Sequence, residues 1–186
     1  MKSVQALKER IKANLKKEFL AIKAQIEAEQ LYIFVLGRVE DIEGQYFCSA
    51  ATLTDLKRNI DKDSTYYATF WSAAELELTA DFNDIDYNEL KSYLEDATDE
   101  EYDALRDEYD QMLIDSLAEL RKEGLFDDEI PEFSAFVQYT DEGFDVEETS
   151  YIAINGTAFL EAFNERYEKN ENSLTEVLLK NSEWNV

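Results

Sequence analysis

The chain has 186 residues, enough for one domain with a substantial core but cramped for two. A hydrophobic content of 45%, with 13% aromatics, excludes a disordered acidic tail, and one proline with five glycines leaves little for linkers. The formal charge of −25 argues against nucleic acid or an anionic membrane as a partner and favours a basic protein or a cation.

That charge is far above the magnitude of roughly 2–8 that suffices to keep a small domain soluble. It is also clustered, which favours a functional reason over a merely acidic surface. Histidine is absent, which removes the commonest general base, the His-dependent triads and every His-containing zinc site. The lone Cys48 can form no internal disulfide and no thiolate metal cluster, and reads as a core filler. The lysine-bearing N-terminus lacks the apolar run of a signal peptide, and no stretch approaches the ~20 apolar residues of a membrane span. A cytoplasmic protein is expected.

In chain order, Val4, Leu7, Ile11, Leu15, Phe19, Ile22 and Ile26 advance by three or four and predict a helix over residues 3–29. It is the basic part of the chain, with seven Lys/Arg against four acids through residue 30, and its lysines are expected to compensate nearby carboxylates. Leu31–Val39 and Gln45–Leu53 are β-rich runs around a Gly-containing turn, which predicts an antiparallel hairpin. A short helix is expected from Thr54 to Ile60, and Thr65–Phe70 reads as a third strand.

The stretch from Asp81 to Asp110 holds thirteen acids and two bases. Within it Asp86–Glu95 reads as an acidic helix. Thr98-x-x-Glu101 is a capping box, followed by Tyr102, Leu105, Tyr109, Met112, Leu113, Leu117 and Leu120 at helical spacing, with Gly124 as the left-handed stop. This is a long amphipathic helix whose exposed side is strongly negative. Phe133–Thr140 and Thr149–Ile154 read as fourth and fifth strands around Asp141-Glu142-Gly143. A helix bearing Phe159, Phe163 and Tyr167 follows, and then a last one capped by Ser173-x-x-Glu176. Short connections between strands adjacent in sequence predict a single α+β domain over residues 1–186. Its central antiparallel sheet would have about five strands, covered by helices.

For chemistry the acids offer two readings. Asp99, Asp103 and Asp107 share a helical face and Asp81, Asp84 and Asp86 lie close together, but the calcium-loop pattern is absent and no metal or cofactor is expected. A carboxylate pair for hydrolysis has no spacing that singles it out, and there is no phosphate loop, Ser elbow or dinucleotide fingerprint. The better expectation is a non-enzymatic binding surface. Its acids come from Asp81, Asp84, Asp86, Asp99, Glu100, Asp103 and Asp107, and from the second acidic stretch, Asp127, Asp128, Glu129, Asp141, Glu142 and Asp145. Tyrosine and tryptophan concentrate at interface hot spots. Tyr87, Tyr151 and Trp184 are the aromatics free to face a partner, whereas Tyr32, Tyr46, Tyr66, Tyr102 and Tyr109 fit inward positions.

The pattern Tyr-x-x-x-Trp-Ser-x-x-Glu in YATFWSAAELE (Tyr67–Glu77) follows an N-terminal helix and a hairpin. It precedes a long helix ending in Glu-Gly-x-Phe (Glu123–Phe126). Together these resemble the bacterial family called domain of unknown function 4303, over most of the chain. The proline and tryptophan of the family motif are Ala73 and Leu76 here. The resemblance implies architectural roles for Trp71, Ser72 and Glu75. It also implies kinship with small acidic proteins encoded among the immunity genes of bacterial toxin systems. The expected function is thus an immunity protein that blocks a basic nuclease toxin of contact-dependent growth inhibition or a related polymorphic toxin system. A non-catalytic adaptor for another basic protein is the alternative, and a carboxylate hydrolase the third reading.

Overall fold

The computed structural model describes residues 4–26, 28–38, 46–62, 67–80, 82, 98–139 and 144–182. Helix α1 (Val4–Lys23) leads into the hairpin β1 (Leu31–Arg38) and β2 (Tyr46–Thr52), then α2 (Leu53–Lys62). A 3-10 turn (Tyr67–Trp71) precedes β3 (Leu78–Ala80) and the long α3 (Asp99–Lys122). After α3 come β4 (Ser134–Tyr139), α4 (Phe144–Asn155), α5 (Leu160–Asn164) and α6 (Leu174–Ser182). The sheet order is β3-β2-β1-β4.

The expected hairpin is present, but the sheet has four strands and is mixed, because β4 lies parallel to β1. Two expected strands are helical. Tyr67, Phe70 and Trp71 are buried at spacings of three and four, so this aromatic run turns as a 3-10 segment. Thr149–Ile154 belongs to α4, where Glu147, Ser150, Tyr151 and Ile154 point inward at i, i+3, i+4 and i+7. A short apolar run does not distinguish the two periods, and here the polar Glu147 and Ser150 carry the helical signal. β3, three residues long, was not anticipated. The expected helix over Asp86–Glu95 and the turns at Glu40–Gly44 and Asp141–Gly143 lie outside the described residues.

Every residue of β1 is buried, as a strand covered on both faces requires. One face carries Phe34, Leu36, Cys48, Ala50, Ala135 and Val137 against the stripes of α1 and α3. The other carries Ile33, Val35, Ala51 and Phe136 against α2, the 3-10 turn, α5 and α6. A register irregularity between Leu31 and Ile33 explains why consecutive Tyr32 and Ile33 join the same cluster. Gly37 is a close-packing position, since a Cβ there would stand 2.3 Å from the Phe47 ring and 2.8 Å from Ala73 Cβ.

The outer edge of β4 is closed by side chains rather than by a strand. The Ala135 N–H donates to Asn155 Oδ1 at 3.0 Å, and Asn155 Nδ2 donates to the Ala135 carbonyl at 2.7 Å. The Val137 N–H donates to Ser150 Oγ at 3.0 Å. Helix α4 thereby satisfies the backbone groups that an open edge would offer to another chain.

Candidate functional site

The acidic surface is organised by α3. Thr98 caps it as expected: its hydroxyl accepts the Glu101 N–H at 3.3 Å, and Glu101 Oε2 accepts the Thr98 N–H at 2.9 Å. The Thr98 N–H first, and then the Thr98 hydroxyl, which donates to the same Oε2 at 3.1 Å, hold the Glu101 carboxyl below its ordinary pKa. At the other end the Leu125 N–H reaches the Leu120 carbonyl and the Gly124 N–H the Arg121 carbonyl, a Schellman closure with Gly124 at φ +82°. Tyr109, Met112, Leu113, Leu117 and Leu120 face the core. Glu100, Ala104, Asp107, Glu108 and Gln111 are exposed on the other side.

The acids of α3 divide into two groups. In its C-terminal half Lys8 pairs with Asp115 at 3.1 Å and with Glu119 at 2.8 Å, and Lys12 pairs with Glu119 at 2.9 Å and Glu123 at 2.6 Å. The expected compensation by α1 is therefore present. These bonds lower the Glu119 carboxyl to about 2 and raise Lys8 and Lys12. The first three turns of α3 lie beyond those pairs. Among the described residues, no basic side chain stands within ion-pair distance of Glu100 or Glu108.

The fifteen residues expected at the binding surface separate accordingly. Glu100, Asp107, Asp127, Asp128 and Asp145 are exposed, and Asp99 and Asp103 fall within α3. Asp81, Asp84, Asp86, Tyr87, Asp141 and Glu142 lie outside the described residues, as does Trp184. Two expectations are corrected. The Glu129 carboxylate is 1% exposed; it accepts the Leu31 N–H at 2.6 Å and pairs with Lys23 at 2.7 Å, so it anchors the start of β1. Tyr151 is 2% exposed and stacks on Phe163 at 3.9 Å, because the segment is a helix whose inward face it occupies.

Two buried ionic centres were missed in the sequence. At the carboxyl end of β1, Arg38 is 1% exposed and pairs with Asp110 of α3. Its guanidinium also donates to Tyr139 Oη at 3.0 Å and lies over the rings of Tyr109 and Tyr139. The Tyr139 hydroxyl in turn donates to Asp110. A lone arginine inside an apolar strand was the available signal. The second centre joins Glu147 of α4 to Arg166, whose guanidinium lies 3.8 Å from the Phe163 ring centroid. The Tyr167 hydroxyl donates to Glu147 at 3.0 Å, and burial pushes its pKa up to about 12. Nothing in the local sequence marks Arg166 as buried.

The signature stretch sits beside this second centre. Trp71 is fully buried, makes edge contacts with Tyr32 and Phe163, and donates its indole N–H to Thr175 Oγ1 at 2.8 Å. The Gln138 amide brackets the backbone, accepting the Ala73 N–H at 2.7 Å and donating to the Trp71 carbonyl at 3.1 Å. Ser49 and Tyr32 donate to the Ala73 and Phe70 carbonyls. The segment is held through its backbone, while Ser72 is half-buried and Glu75 exposed.

The family described as Domain of unknown function (DUF4303) matches residues 7–154. The chain belongs to that family. No curated protein and no solved structure matches it. The matched region ends near the last residue of α4, so the family's shared part comprises the sheet, α1 to α4 and the signature stretch. Ala73 donates its N–H to Gln138, a bond that a proline at this position could not make. Among the described residues no group of three or more Cys, Asp and Glu side chains is arranged to hold a metal, and no helix is long and apolar enough to cross a membrane. Chemically, the exposed carboxylates of α3 can attract and orient a positively charged surface.

Proposed function

We propose that this chain is an immunity protein that binds a basic nuclease toxin and blocks its active-site cleft with an acidic surface. The toxin would belong to contact-dependent growth inhibition or a related polymorphic toxin system, and the encounter would take place in the producer's cytoplasm. The observation that carries the reading is the pair of exposed carboxylates Glu100 and Glu108 on the first turns of α3, in a chain of net charge −25.

The physical logic is that of fast capture. A nuclease cleft is basic because it holds a phosphate backbone, and a row of carboxylates can stand in for that backbone. Charge complementarity raises association to ~10⁸–10⁹ M⁻¹s⁻¹ at low salt, against ~10⁵–10⁶ for neutral surfaces. A rigid helix, capped at both ends and packed on the sheet, presents its charges without an ordering cost at the moment of binding. The role so described is binding, with no catalytic step.

Expressing the C-terminal domain of the adjacent upstream open reading frame, with and without this chain, tests the reading. Growth arrest with degraded nucleic acid, relieved only by co-expression, is the expected outcome. A neighbour that arrests growth equally in its presence contradicts immunity. Binding to a basic protein without protection would favour the adaptor reading instead.

A further inference from the structure

On the face of the sheet opposite α1 and α3, the segment beyond the family match builds an open groove of about 820 Å³ between α5, the turn at Glu171 and Asn172, and α6. Phe159, Leu160 and Val177 are its large apolar lining residues and are themselves packed against the second core cluster. Glu161 of α5, Glu165 at its C-cap and Glu171 of the following turn contribute exposed carboxylates. Among the described residues no lysine or arginine lines it. The nearby Lys180 ammonium is occupied by the Glu171 carbonyl at 3.2 Å.

We propose that this groove is a docking site for a basic amphipathic segment of a partner polypeptide. A groove lined by apolar side chains and exposed carboxylates is the complement of a segment that alternates apolar and Lys/Arg side chains, the helix-in-groove mode of recognition. Its volume, within the ~300–1,000 Å³ of ordinary ligand pockets, is large enough for a few side chains of such a segment. The groove is held firmly in place: Arg166 is clamped by Glu147, and the Thr175 hydroxyl bridges the Arg166 carbonyl at 3.0 Å and the Trp71 indole. The site does not depend on the toxin reading of α3, since it lies on the other side of the sheet.

The test titrates the full ¹⁵N-labelled chain with two synthetic 14-residue peptides of equal charge, one of Leu and Lys in amphipathic order and one of Ser and Lys. The Leu/Lys peptide should shift amides of residues 157–177 and bind at least tenfold more tightly than the Ser/Lys peptide. The variant E161Q/E165Q/E171Q should weaken that binding at least tenfold, whereas E9Q/E75Q, at exposed acids outside either surface, should leave it unchanged. Shifts centred elsewhere, equal affinity for the two peptides, or an unaffected groove variant would overturn the proposal. Sedimentation of the chain alone gives a further arm. The exposed Lys16, Lys17 and Leu20 of α1 make a second copy the rival occupant, and self-association abolished by the groove variant would replace the partner with that copy.

Discussion

Arg38 and Asp110 show how one residue can hold an element in place. The pair is buried between β1 and α3, so removing one partner leaves the other charged and desolvated, at a cost of about 3–5 kcal/mol. Asp110→Asn should lower the urea midpoint accordingly with little change in slope. The double replacement R38M/D110L should recover much of that loss, since an apolar pair leaves no stranded charge. A single Asn variant as stable as the parent would show that the pair contributes little. In the sequence Arg38 was visible as a charge in an apolar strand, but its partner sits 72 positions away on an otherwise solvated acidic helix. Long-range pairing of that kind has no local pattern. For the same reason the burial of Glu129 could not be read from a run of acids.

At the scale of the element, α3 was the most legible part of the chain, because its cap, stripe and stop are all local. Thr98→Ala removes the hydroxyl that caps Glu101 N–H and should cost about 1 kcal/mol. Gly124→Ala adds a Cβ at φ +82°, 2.8 Å from Asp127 Oδ2, and should cost about 1 kcal/mol or more. Thermal unfolding of both variants checks these values. The clamp between α1 and α3 has a pH signature. Glu119 is lowered from 4.5 to about 2, so its contribution is present above about 4.5 and is lost as pH falls toward 2. Glu119→Gln should flatten the acid limb of the stability curve in that window, and an unchanged limb would exclude Glu119 as its source. The helix α4 was misread because Thr149–Ile154 looks strand-like by composition. Only its contacts with the β4 edge, through Ser150 and Asn155, reveal what that face is for.

For the whole molecule, the α+β class and the hairpin were readable, whereas the parallel placement of β4 beside β1 depends on how α3 crosses the sheet. The distribution of charge is likewise a tertiary property. Composition gave −25, but Lys8 and Lys12 engage Asp115, Glu119 and Glu123 at one end of α3, while Glu100 and Glu108 stand exposed toward the other. Asp127 and Asp128 lie past the far end of that helix, whose 24 residues span about 36 Å at ~1.5 Å per residue. One cleft would not engage both patches. The candidate surface is therefore the start of α3, and it can be tested with the toxin domain that co-expression identifies. The decisive measurement is the association rate constant of that complex across an ionic-strength series, for the parent chain and for E100Q/D107N/E108Q. The account predicts a steep fall with salt for the parent, with the variant about tenfold slower at low salt and on a flatter slope. Identical rates and slopes for the two proteins would contradict it.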